Sequence, residues 1–254
     1  MDPSVLERIQ AYVRRYAIEQ RRVERTGPFL ATFGRYSNGP YLNYAVPDDH
    51  SEPTDHEVAE LTAAYERRRL RPRVELVPEL APAAADTLRR AGFKDEGILQ
   101  LMAYDGGIIS DFESPHGIEI LFCSNEEDYM SLVDVRYVAF NESGSATGVD
   151  AARARSNVED GGLAAIAIDT RTSEVVASGA CLVPYGGVTE LTSVGVLPQF
   201  RRKGIGALVT ATLSRAAVRN GVEIVYLTAA HDEGERLYER VGFVRAGESL
   251  HLGV

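Results

Sequence analysis

The residues best suited to chemistry lie in one stretch, VTELTSVGVLPQFRRKGIGALVTATLSRAAVRNG, residues 188–221. An apolar, strand-like run ends at Pro198. A basic turn with two glycines follows (Arg201, Arg202, Lys203, Gly204, Ile205, Gly206), and Ala207 leads into an amphipathic helix with Leu208, Val209, Thr212 and Leu213 on one face. A strand, a glycine turn and a helix N-terminus in that order make an anion site. Gly204 and Gly206 let backbone approach a phosphate, the first turn of the helix offers unpaired N–H groups, and the helix dipole favours negative charge. Arg201, Arg202 and Lys203 add three cations. The spacing matches neither G-x-G-x-x-G nor a P-loop, which disfavours a dinucleotide or ATP.

The other reactive side chains are less suggestive. Cys123 and Cys181 sit in apolar runs and read as reduced core cysteines, not as a disulfide or a nucleophile. His50 and His56 fall in the acidic turn DDHSEPTDHE near Asp48, Asp49, Asp55 and Glu57, but the spacing fits no compact metal template. A solvated loop capping a helix at Thr54 or Asp55 accounts for it, and no metal is expected. His116 and His251 are isolated.

Two runs of alternating strands and helices must hold these residues. The segment Gly106–Gly117, with three glycines and a proline, separates them and gives provisional domains at 1–110 and 117–254. Before it we expect a helix over 4–25 with Pro3 in its first turn, strands 29–36 and 41–47, a helix 55–69, a strand 74–78, a helix 81–91 and a strand 98–105. After it we expect a strand 118–123, helices 126–140 and 149–158, strands 163–170, 174–185 and 188–198, a helix 204–220, a strand 223–229, a helix 232–241 and a last strand from Phe243 that completes the second domain. This is a mixed α/β sheet in each half. TLRRAGF (Thr87–Phe93) and LYERVGF (Leu237–Phe243) each close a helix with Gly-Phe before a strand, which suggests a diverged internal duplication.

On these residues the second half resembles the GNAT acetyltransferase superfamily. The family's pyrophosphate loop, Q/R-x-x-G-x-G/A after a V-x-P turn, is matched by Val196, Pro198, Arg201, Gly204 and Gly206. Its later N-x-x-A-x-x-L-Y-x-x-x-G-F is matched by Leu237, Tyr238, Gly242 and Phe243, with His231 in place of Asn and Gly234 in place of Ala. The resemblance covers about 117–254. It implies an α/β (α+β) mixed-sheet GNAT fold, in two tandem acyl-CoA N-acyltransferase-like copies. It also implies acetyl-CoA as co-substrate, with the pantetheine arm along Val194, Gly195 and Val196, the pyrophosphate over Arg201–Ala207 and a contact at His231. Gly195 also has a simpler reading, a bulge. Glu190, in a polar patch with Thr189 and Thr192, is the implied base, or else a solvated strand-end glutamate. Tyr238 is the implied acid at the thioester sulfur, or else a core tyrosine. With no placed nucleophile, transfer would be direct.

The first half reads as a degenerate copy without cofactor. Its loop after Pro47 has no glycine and carries five acidic residues up to Glu57, and Thr87 and Leu88 stand where a tyrosine would be needed. We expect it to close the acceptor side of the second half, whose sheet is short of a final strand, with acidic walls that could attract a cationic amine. The acceptor is expected to be a small-molecule amine. The alternatives are a non-catalytic acyl-CoA-binding regulatory module, or a tandem transferase of the mycothiol synthase kind. The charge of −10 argues against nucleic acid or an anionic membrane as partner. The N-terminus lacks a signal-peptide pattern, so a cytoplasmic protein is expected, with homo-oligomerisation open. Only Lys94 and Lys203 are lysines, a bias we attribute to a GC-rich bacterial genome.

Overall fold

A computed structural model describes residues 4–35, 39, 42–104 and 106–254. Pro3, the strand end at Tyr36, the strand start at Tyr41 and the strand end at Asp105 lie outside the described residues. The order is α1 (Val5–Gln20), β1 (Arg22–Thr26), β2 (Phe29–Phe33), β3 (Ala45–Pro47), α2 (Asp55–Glu66), β4 (Arg73–Leu76), α3 (Pro82–Arg90) and β5 (Lys94–Tyr104). It continues through β6 (Ile118–Phe122), α4 (Glu126–Ala139), α5 (Gly148–Glu159), β7 (Leu163–Asp169), β8 (Glu174–Cys181), β9 (Val188–Val196), a 3-10 turn (Pro198–Phe200), α6 (Ile205–Arg219), β10 (Ile224–Ala229), α7 (Asp232–Val241) and β11 (Val244–Gly253).

The chain forms two compact units that are not consecutive in sequence. One comprises residues 1–101, 228–230 and 245–254, the other 102–227 and 231–244. The tail after Phe243 therefore does not complete the second unit as expected. Nearly all of β11 belongs to the first, where it pairs antiparallel with β4 from Leu250↔Leu76 to Gly253↔Arg73. The reason is the alternation of the tail. Leu250 and Leu252 are buried in the same apolar cluster as Phe29, Leu61, Tyr65 and Leu88, so the tail's apolar face is buried only in that sheet.

In the first unit the strands run β1-β2-β3-β4-β11. Here the expected helix 4–25 ends early: α1 stops at Gln20 and β1 pairs with β2 from Arg22↔Phe33 to Thr26↔Phe29. Arg-Arg-Val-Glu-Arg has no objection to a helix, but Gly27, at φ +51°, turns the chain back and the ladder overrides propensity.

In the second unit the order is β10-β9-β8-β7-β6. The helices α4 and α5 cover one face, where Tyr129, Leu132 and Val133 pack on Ile166. The helix α6 covers the other: a side chain added at Gly179 of β8 would strike Val209 and Leu213 of α6, each at 2.9 Å. The segment 106–116 has no regular structure and is fixed to this unit. Ser110 N donates to Val241 O (2.9 Å), and Arg215 bonds the Ser110 carbonyl and Asp111.

Candidate active site

The site begins with the way β9 leaves its neighbours. The parallel ladder with β10 runs only from Ile224↔Val188 to Tyr226↔Glu190. On the other side, against β8, the register slips between Ser178↔Gly195 and Ala180↔Thr192, which inserts one extra residue in β9. Ser193 carries that bulge at φ +57°. The bulge changes which backbone groups face which neighbour. Glu190 O accepts from Leu182 N, and beyond the bulge Leu197 N donates to Val176 O. Alternation then turns the backbone of Val194 and Val196 away from β8, toward the side that the β10 ladder does not reach.

Gly195 is tightly packed. A Cβ there would lie 2.7 Å from Ala139 Cβ and 3.4 Å from Phe140 Cε2. Glycine is needed because the end of α4 packs against β9, and the bulge sits at Ser193.

The loop follows. Arg202 (φ +64°) and Gly204 (φ +83°) both take left-handed backbone, and Gly204 is the N-cap of α6 without any side-chain cap. By contrast Ser4, Thr54, Asn125 and Thr147 cap α1, α2, α4 and α5 through complete capping boxes. The first α6 bond is Leu208 N to Gly204 O at 3.1 Å, so the N–H groups of Ile205, Gly206 and Ala207 point out of the helix end. A side chain at Gly204 would meet nothing within 4 Å, so the space beside it is open. One at Gly206 would come 3.1 Å from Leu237 Cδ1, so that glycine brings α6 close to α7. An anion with several acceptor oxygens fits this end: amides, open space and positive helix dipole converge.

The three cations are less free than their sequence suggests. Arg201 donates from Nε to Val196 O (3.1 Å) and from a terminal nitrogen to Ala139 O (2.8 Å), tying β9 to the C-terminus of α4. Lys203 Nζ lies 4.9 Å from the centre of the Phe200 ring. Arg202 pairs with Glu233 in the first turn of α7. Arg201 is therefore a brace, and Arg202 is the cation that an anion could recruit.

Glu190 stands at the last rung that joins β9 to β10, and Tyr238 lies on α7. Side-chain alternation puts Glu190 on the same face as Thr192 and Gly195, the face covered by α4. Its Oε2 accepts from the hydroxyl of Tyr226, 3.2 Å away. Tyr226 escaped the sequence reading because it sits in an apolar run, IVYLTA, with no motif. Tyr238, one turn before Gly242, is half-buried, with its ring centre 6.1 Å from that of Phe243. Burial raises its hydroxyl to about 12. His231 is exposed and is the N-cap residue of α7, but its imidazole makes no cap bond. Gly234 would tolerate the family's alanine, since a Cβ there meets Tyr238 Cε2 at 3.6 Å. Cys181 is buried, and burial alone pushes its thiol to about 12. Cys123 is raised to about 12 as well, again chiefly by burial. Neither supplies a thiolate at neutral pH. Among the described residues no three His, Cys, Asp or Glu side chains converge on a metal position, and no helix is long and apolar enough to cross a membrane.

In the first unit the corresponding features are closed. Thr54 and Glu57 of α2 bond each other's backbone N–H groups (3.3 and 2.7 Å), so a carboxylate already occupies that helix end. In the acidic turn Asp49 holds Arg14 through two 2.7 Å bonds and Asp48 holds Arg25 at 2.8 Å.

The family model described as the acetyltransferase (GNAT) family matches residues 129–243. No curated protein sequence matches the chain. Among solved structures, a GCN5-related N-acetyltransferase from Kribbella flavida is similar with TM-score 0.83 and 23% identity, over 99% of this chain and 96% of that one. A GCN5-related N-acetyltransferase from Sphaerobacter thermophilus is similar with TM-score 0.67 and 18% identity, over 89% and 76%. A tandem GNAT protein from the clavulanic acid biosynthesis pathway is similar with TM-score 0.66 and 14% identity, over 99% and 88%. At these identities the structural matches establish the fold. The family match adds the class of chemistry, acyl transfer from acyl-CoA. Residues 129–243, which include the bulged, diverging β9 and the uncapped, glycine-led α6, match the model of the acetyltransferase (GNAT) family.

Proposed function

We propose that this protein is an N-acetyltransferase that moves the acetyl group of acetyl-CoA directly to a primary amine, with a small molecule favoured as acceptor. One observation carries the reading: β9 parts from β10 at Glu190 and runs straight into the open N-terminus of α6. In that arrangement the backbone of Val194 and Val196 holds the pantetheine arm and donates to the thioester carbonyl. The amides of Ile205–Ala207, with Arg202 and Lys203, hold the pyrophosphate, and His231 borders the same edge. When bound, acetyl-CoA supplies an activated acetyl group. Glu190 takes a proton from the ammonium of the acceptor, directly or through water, since only the neutral amine has a lone pair to form the new N–C bond. The C–S bond breaks once that bond has formed, Tyr238 donates a hydrogen bond to the departing sulfur, and the second proton of the nitrogen passes to the thiolate or to water. We further propose that the first unit is a copy without cofactor and that catalysis belongs to the second, in a cytoplasmic protein.

The test is calorimetric. Acetyl-CoA titrated into the full chain should bind, and into the Gly204→Glu variant should not, because the new carboxylate would project into the open space beside the helix end. Undiminished affinity in that variant would sink the placement. An amine panel read by thiol release then tests the transfer itself.

A further inference from the structure

We infer that Tyr226 is a positioning residue for the reaction, acting through Glu190. It is buried, 3% exposed, in a strand whose neighbours Ile224, Val225 and Leu227 are apolar and buried too. A phenol hydroxyl in such surroundings costs stability unless it finds a partner. Its partner is Oε2 of Glu190, at 3.2 Å. The two residues are also direct register partners, and theirs is the last rung before β9 and β10 separate. The hydrogen bond therefore sits at the apex of the gap. It fixes one carboxylate oxygen to the rigid strand β10 and favours the ionised form, the form in which a carboxylate accepts a proton. A glutamate on an exposed strand samples several rotamers; one tied at the apex is held facing the α4 side of the sheet, where Thr192 and Gly195 also face. No motif marks this pairing, because it depends on the parallel register between residues 36 positions apart.

The inference rests on the reading of Glu190 as base, and the experiment separates the two. The Tyr226→Phe variant keeps the buried ring and removes only the donor. Carbon-13 NMR of glutamate-labelled full-length protein, with the Glu190 signal assigned through Glu190→Gln, reads the carboxyl titration. Loss of the donor should raise the Glu190 pKa by about one unit. Acetyl transfer to benzylamine, read as thiol release, should fall about tenfold in kcat, with the acetyl-CoA affinity by calorimetry unchanged. In a Glu190→Gln background the same tyrosine change should cost nothing further, whereas a merely structural role would add its own loss. An unshifted carboxyl titration, or fully additive kinetic losses, overturns the role of Tyr226. A Glu190→Gln enzyme of full rate instead removes the base itself, whatever Tyr226 does to the titration.

Discussion

Replacing Tyr238 by phenylalanine should slow the enzyme about ten- to 150-fold in kcat, with KM for acetyl-CoA nearly unchanged. The figure comes from the state of the hydroxyl. Burial raises its pKa to about 12, while a cysteine thiol, the reference taken for the leaving group, ionises at about 8.5. Complete transfer of the phenol proton to a leaving thiolate would run uphill by about 3.5 units, about 5 kcal/mol. Tyr238 is thus badly matched to full proton donation and well matched to hydrogen bonding: it remains a donor wherever the enzyme would be assayed. A hydrogen bond to a group that becomes charged contributes about 1.5–3 kcal/mol, and each 1.36 kcal/mol is about tenfold in rate. The interaction grows only as charge reaches sulfur, so the loss belongs in kcat.

The pH dependence follows with its sign. A raised pKa keeps the hydroxyl protonated as pH climbs past the ordinary tyrosine value near about 10. Tyr238 should therefore add no falling limb to the kcat profile between pH 7 and 10. The assay is thiol release under saturating acetyl-CoA across that range, for wild type and Tyr238→Phe. A phenylalanine enzyme within twofold of wild type would refute the role. A falling limb near pH 9–10 that the substitution abolishes would refute the reasoning from burial.

Three other outcomes are expected. Gly195→Ala should lower stability by about 1–3 kcal/mol through overpacking against Ala139, seen as a fall of a few degrees in melting temperature by circular dichroism; an unchanged melt would mean that α4 yields freely. Glu233→Gln should tighten acetyl-CoA binding by about two- to fivefold, because it frees Arg202 from an exposed pair, and calorimetry at low salt would read it. Folding stability should drop as pH falls from about 6.5 to about 4: burial and Arg73 depress the pKa of His251 to about 4, so the unfolded chain binds its proton first. That contribution is at most about 3 kcal/mol, with the Glu96 carboxylate working against the shift, and a His251→Asn variant should lose that part of the acid slope in urea melts.

What the sequence disclosed, and what it hid, follows the range of the interactions. The loop after β9 was legible because its signal is local: glycine in a left-handed cap, Pro198 ending the strand and basic residues all fall within ten positions. The Gly-Phe closures were legible for the same reason. The strand β1 was not, because Arg22–Thr26 becomes a strand only through pairing across Gly27. The placement of β11 was not, because either sheet could use its alternation, and the choice is made by burial of Leu250 and Leu252 beside residues more than 150 positions earlier. The site shows the same division. Glu190 and Tyr238 were singled out by resemblance to motifs, whereas the Tyr226–Glu190 bond and the packing of Gly195 and Arg201 against the end of α4 depend on contacts that no spacing encodes.

The duplication gains weight from backbone detail rather than from letters. Phe93 N donates to Leu88 O and Phe243 N to Tyr238 O, both at 3.0 Å, with Gly92 and Gly242 at φ +96° and +119°. These are the same six-to-one closures, so Leu88 is the positional counterpart of Tyr238. Before them, β3 and β4 pair parallel around α2 as β9 and β10 do around α6. Matched scaffolds thus carry opposite chemistry at both functional points. Where the second unit has a half-buried hydroxyl, the first has a fully buried leucine. Where the second opens its helix with an uncapped Gly204, the first opens with Thr54 and Glu57, whose carboxylate already fills the anion position. Phosphate could enter that end only by expelling a charged group bound to its own backbone, at a cost in helix stability and against the repulsion of like charge. Restoring a site there would require at least a glycine for Thr54, removal of the Glu57 carboxylate and a hydroxyl at Leu88. No one of these changes alone turns the sealed helix end of the first copy into the open helix end of the second.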